Sequence, residues 1–181
     1  MWFSILLTIS ATLSFISVIT PPQPNHFVKN VSAVDPKIDP QHQEVLSRWL
    51  KTKPQFRLAN ELQDADKEGV AFYRQDWGKG FNPYYAVGDF NRDRRKDFAV
   101  LVVDSRKSAE EGFAIAIFNA PFNKKSRPNY FESGYEGVSR CFIAYDQMVR
   151  GRLFLGIYEA DSICVTFYPK GQRYVYKDCE E

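Results

Sequence analysis

Histidine is nearly missing from this 181-residue chain: there are two, His26 and His42, and both precede every strand-like segment. A Ser–His or Cys–His nucleophile needs a base held by the folded scaffold. Both histidines are therefore expected at the surface, and nucleophilic catalysis is disfavoured. Cysteine is scarce too, with Cys141, Cys164 and Cys179 alone, and no Cys/His spacing fits zinc. No stretch matches the phosphate-cradling G-x-x-x-x-G-K-[ST]; Gly78-Lys79-Gly80 reads only as a turn. An excess of charge of one sign is also lacking, since 24 Lys and Arg face 22 Asp and Glu for a net charge of +2. Nucleic-acid binding by counterion release needs many clustered cations, so no nucleic-acid partner is expected. The two basic clusters, Arg92 to Lys96 and Lys124 to Arg127, read as solvated turns. Carboxylate pairs such as Glu110/Glu111 and Glu159/Asp161 are available for acid–base work, but solvated faces account for them as well.

Residues 1–20 hold no charged side chain at all. Their length and apolarity suit a signal peptide or an N-terminal membrane anchor, which predicts an exported protein: periplasmic, in the cell envelope or extracellular. Membrane contact is expected only through residues 1–20, if they are uncleaved. Residues 21–39 are a Pro-rich linker, and Asn30-Val31-Ser32 within it is a glycosylation sequon. An oxidising compartment permits one disulfide, with Cys164–Cys179 the expected pair if residues 162–178 form a hairpin; three buried thiols are the alternative.

Residues 40–181 then read as a single domain with enough apolar content, 44% of the chain, for a real core. Asp39-Pro40 looks like a helix cap, and Val45, Leu46, Trp49 and Leu50 share one helical face that ends before Pro54. Residues 55–68 suit either a strand and turn or a second short helix. Residues 69–85 read as a loop dense in aromatics (Phe72, Tyr73, Trp77, Phe81, Tyr84, Tyr85), whose rings either stack a sugar or peptide or seal the core edge. From Tyr84 onward the pattern is strands. Phe98–Val103 and Phe113–Phe118 are apolar at every position, so both faces of each should be buried. Cys141–Tyr145, Leu153–Tyr158, Ile163–Tyr168 and Arg173–Tyr176 follow, joined by short turns, while residues 120–139 read as a long polar loop. The expected fold is α+β: an N-terminal helix packed on a meandering, mostly antiparallel sheet of six or seven strands.

The chemically most defined stretch runs from Asp89 to Asp97. Asp89, Asn91 and Asp93 alternate and Asp97 follows, so one short turn can aim several oxygens at one point. A β-type run, Phe98–Val103, comes next, and Val100 stands where an EF-hand would carry Glu. With its flanks, Tyr85 to Val100 resembles the FG-GAP/VCBS-type repeat, whose core reads Gly-Asp-Phe-Asn-Gly-Asp-Gly-x-x-Asp-Leu-Ala-Val. The whole chain is also similar to small exported bacterial proteins that carry one such motif after a leader and a Trp-Leu helix. The resemblance covers about 20 residues and implies a calcium ion held by side-chain oxygens of Asp89, Asn91, Asp93 and Asp97 and by the main-chain carbonyl of Arg95. Arg92 and Arg94 stand where the family has Gly, and the second of these positions usually needs a positive φ. With four basic residues among three carboxylates, the expectation is a degenerate calcium-type loop in which Arg–Asp pairs can stand in for the ion.

The function these features suggest is an exported, non-catalytic domain of structural or binding role with a protein or carbohydrate partner. Two further classes fit the composition. One is a hydrolase acting on envelope or extracellular polymers. The other is an inhibitor or partner-binding protein that uses the aromatic loop 72–85.

Overall fold

The computed structural model describes residues 38–108, 110–146, 151–158 and 165–178, apart from the Asp76 side chain. The expected signal peptide or anchor, the linker as far as residue 37, the Asn30 sequon, His26 and the expected Cys164–Cys179 bridge lie outside the described residues.

Helix α1 spans Pro40–Leu50, with Asp39 accepting the Gln41 amide at 2.8 Å and Pro40 in the first turn. Strand β1 (Phe56–Leu58) and the short α2 (Glu61–Asp64) follow, so residues 55–68 hold both a strand and a helical turn. Helix α3 spans Lys67–Trp77. Asp66 caps it by accepting from the amides of Glu68 and Gly69, and Gly78 stops it at φ 89°. This corrects the expectation of an aromatic loop over 69–85. Val70, Tyr73 and Trp77 form a helical stripe that faces inward, while Phe72 lies outside that stripe, is 61% exposed and obscures the period.

Eight more strands complete the chain: β2 (Tyr85–Gly88), β3 (Asp97–Asp104), β4 (Phe113–Phe118), β5 (Tyr130–Tyr135), β6 (Cys141–Asp146), β7 (Arg152–Ile157), β8 (Val165–Lys170) and β9 (Arg173–Asp178). Every pairing is antiparallel. They form two sheets, not one of six or seven strands. In the first, β1 and β2 share one side of β3, with Leu58 opposite Val102 and Tyr85 opposite Val100; β4 and β5 continue on the other side. The second is the meander β6-β7-β8-β9.

The division follows from burial. Strands β3 and β4 are apolar on both faces, and each face needs a cover. Phe98, Val100 and Val102, with Ala114, Ala116 and Phe118, pack under Val45, Leu46 and Trp49 of α1. The alternate residues Ala99, Leu101, Val103, Phe113, Ile115 and Ile117 pack against Cys141, Ile143, Leu153, Leu155 and Phe167 of the second sheet. Each large side chain buried this way contributes about 1.5–3 kcal/mol. Helix α3 then covers the outer face of the second sheet, with Trp77 5.6 Å from Phe154 and 5.7 Å from Phe142, ring to ring. Gly69 lets it approach, since a Cβ there would stand 2.8 Å from Tyr158 Cγ. The result is helix, sheet, sheet, helix, within the broad α+β class.

Two other expectations are corrected. Strand β5 lies inside the stretch read as a long polar loop. His42 is not at the surface: it is 6% exposed, stacked on Phe98 with ring centroids 4.3 Å apart, and its Nδ1 is 2.7 Å from the Tyr85 hydroxyl. Its position on the buried stripe of α1, three residues before Val45, accounts for this.

Candidate metal loop between the second and third strands

Strands β2 and β3 pair up to Gly88 opposite Asp97, so the eight residues between them must reverse direction in a confined space. The backbone does so by placing two non-glycine residues in the left-handed region, Arg92 at φ 64° and Arg94 at φ 69°. Such a conformation costs a residue with a Cβ on the order of 1 kcal/mol, so something must hold it.

The carboxylates supply the hold. Asp89 accepts the Asp93 amide on Oδ1 and the Arg94 amide on Oδ2, both at 2.9 Å. Asn91 Oδ1 accepts the Asp93 amide at 3.0 Å, and Asp93 Oδ1 accepts the Arg95 amide at 2.9 Å. Asn91 Nδ2 donates to Asp93 Oδ2 at 3.2 Å. Asp89, Asp93 and Asp97 all accept main-chain amides. The reason is geometric, because a left-handed turn points successive N–H groups into its own concavity.

Asp97 sits at the base and is fully buried. Its Oδ2 accepts the amides of Phe90 at 2.9 Å and Asn91 at 3.2 Å, and its Oδ1 accepts the Ala120 amide at 2.9 Å. Burial pushes its carboxyl up to about 6; the three amides oppose that rise, and the Asp93 carboxylate adds to it. The five residues implicated by the motif thus separate. Asp93 and Arg95 are exposed, Asp89 and Asn91 are half-buried, and Asp97 anchors the loop to the sheet. Among the described residues no group of three or more His, Cys, Asp or Glu stands where one ion could be shared.

Remote residues that sequence reasoning missed complete the loop's surroundings. The Tyr145 hydroxyl of β6 donates to the Asp89 carbonyl at 3.4 Å, and its ring lies 5.3 Å from that of Phe90. Gly88 makes room for it, since a Cβ there would stand 2.3 Å from Tyr145 Cδ1. On the other side, the Tyr174 hydroxyl of β9 donates to Asn119 Oδ1 at 2.7 Å, next to the Ala120 amide that reaches Asp97. Burial pushes the Tyr174 hydroxyl up, and the nearby Asp97 adds to that. No local pattern signals these contacts, because each joins residues more than 20 positions apart.

Elsewhere the titratable groups look structural. Burial works to raise the Asp64 carboxyl, but both Arg57 Nη atoms donate to it at 2.6 Å and the Asn60 amide does so at 2.6 Å, and together they hold it low. Cys141 is buried, and burial pushes its thiol up to about 12, the reverse of an activated nucleophile. No family model, no curated protein and no solved structure matches the chain.

Proposed function

We propose that this chain is an exported, non-catalytic domain of structural or binding role, organised around a calcium-type loop that closes on its own amides. The observation that carries the reading is the pair of left-handed arginines, Arg92 and Arg94, with the Asp93 and Arg94 amides held by Asp89. A chain retains two strained residues where the turn they make is needed. Here the turn links β2 to β3, one of the two strands of the first sheet buried along their whole length, and Asp97 extends the link to the segment after β4. Calcium is the ligand whose donor preference the loop's oxygens suit, through Asp89, Asn91, Asp93, Asp97 and the Arg95 carbonyl.

Thermal melting and calorimetric titration of the protein, with calcium and with chelator, test both parts. Asp89→Ala should lower the melting temperature in either condition. If that variant melts as the wild type does in both, the loop does not organise the domain. A melting shift and binding heat at millimolar calcium would support the ion; their absence would leave a metal-free staple. N-terminal sequencing of the protein recovered from fractionated cells tests export and shows whether residues 1–20 are retained.

A further inference from the structure

Although the chain is nearly neutral, its charge is sorted. The β2–β3 loop, the β4–β5 loop and the β8–β9 turn all lie at one end of the sandwich. Three contacts join them: the Ala120 amide to Asp97 Oδ1 at 2.9 Å, Tyr174 to Asn119 at 2.7 Å, and Asn129 Nδ2 to the Gln172 carbonyl at 3.2 Å. The first loop presents Arg92, Arg94, Arg95 and Lys96, all exposed. Lys124, Lys125 and Arg127 are exposed on the second, and Lys170 and Arg173 on the third. The carboxylates among these segments are Asp89, Asp93 and Asp97; Asp97 is buried, and both Asp89 oxygens accept amides. Near them, Asp39 caps α1 and Glu44 is paired with Arg48. Nine cations against three carboxylates leave a clear positive excess, so on a chain of net +2 the remainder is net negative.

The described chain also enters at this end. The Asp39 amide contacts the Tyr85 hydroxyl at 3.4 Å, and the His42 ring lies 4.9 Å from Phe122 of the β4–β5 loop. Upstream lies the linker, and beyond it the 20 residues without a charged side chain. An apolar segment and a polybasic surface in one chain are the two attachments that together hold a protein on a bilayer, where either alone binds marginally.

We propose that this basic end is the face with which the domain sits on an anionic lipid surface, with residues 1–20 as the second attachment. The proposal does not depend on calcium. Two features favour lipid over nucleic acid: the described chain begins at this end, downstream of the uncharged segment, and the cations are spread over three separate loops.

The test is sedimentation of the full-length chain with phosphatidylcholine vesicles, with and without phosphatidylglycerol. Each basic residue near an anionic leaflet raises partitioning about fivefold, so the anionic vesicles should be preferred by at least about 100-fold at low salt, and the preference should fall steeply as salt rises. The combined variant K124E/K125E/R127E/K170E/R173E should lose the preference, yet keep the wild-type melting temperature and partition onto neutral vesicles. K107E, in the β3–β4 loop, should keep the preference. Equal binding of the wild type to both vesicles would overturn the proposal, as would a preference that survives the five substitutions. If the variant fails to fold, a wild-type preference insensitive to molar salt overturns it instead. Tighter binding of the full-length chain to duplex DNA than to anionic vesicles would assign the end to nucleic acid and also overturn it.

Discussion

The amide of Ala120 donates to Asp97 Oδ1 at 2.9 Å, joining the first residue of β3 to the segment that leaves β4. Asp97 thereby holds three main-chain amides from two loops with one carboxylate that has no access to water. Replacing it with Asn turns one acceptor into a donor, which must then face an amide N–H. Asp97→Asn should cost about 1–3 kcal/mol of unfolding free energy by chemical denaturation. A loss too small to measure would mean that the carboxylate is dispensable.

The same burial makes stability depend on pH. Asp97 is pushed up to about 6 in the fold, above its unfolded value of 3.8, so the folded state favours the neutral form. This group's contribution is full below about pH 4 and is lost as pH rises through about 6. His42 has the opposite sign. Burial lowers it below 6.5, with Asp39 opposing, so its contribution is present above 6.5 and is lost as pH falls towards its folded value. Melting temperatures of wild type, Asp97→Asn and His42→Gln between pH 4 and 8 separate the two. The wild-type minus Asp97→Asn difference should shrink as pH rises through 6. The wild-type minus His42→Gln difference should shrink as pH falls below 6.5. A flat difference curve in either case counts against that group.

Arg94 at φ 69° is a conformation that glycine adopts without a Cβ penalty. Arg94→Gly should therefore be more stable than Arg94→Ala by about 1 kcal/mol, since both remove the same side-chain head and differ in the Cβ. Urea denaturation of the two variants gives the difference directly. Equal stability would show that the loop relaxes to accommodate the Cβ.

Gly88 carries the close approach of Tyr145. A Cβ at Gly88 would stand 2.3 Å from Tyr145 Cδ1, so Gly88→Ala must displace the ring that packs on Phe90. A loss of about 1–3 kcal/mol is expected. In the background of Tyr145→Ala the same substitution should cost much less. Additive losses in that double-mutant cycle would rule out the steric account.

Several features are legible before any coordinates. Unbroken apolar runs such as Phe98–Val103 announce strands buried on both faces, and they are so buried. The resemblance to the FG-GAP/VCBS-type repeat implies a positive φ at the position of Arg94, which stands at φ 69°. The segments β6 to β9 follow from their turn signals. Other features are not legible, for particular reasons. Strand β5 is an edge strand whose Glu132 is accommodated by the hydroxyls of Tyr130 and Tyr135, so no apolar alternation marks it. The stripe of α3 is masked by exposed Phe72 and by the glycines that surround it. The position of His42 depends on the sheet beneath α1, which local sequence does not describe.

By itself the sequence determined most of where the chain is extended and which strands are buried on both faces. These properties arise from side chains a few positions apart. Only the tertiary structure decided that the strands divide into two sheets, that Tyr145 and Ala120 close around Asp89 and Asp97, and that three separate basic loops share one end. Layering and long-range contact depend on which apolar face covers which, and alternation along a strand reports that a face is buried without naming what covers it. In the loop between β2 and β3 its own carboxylates hold the turn, and Tyr145 of the neighbouring sheet packs against it.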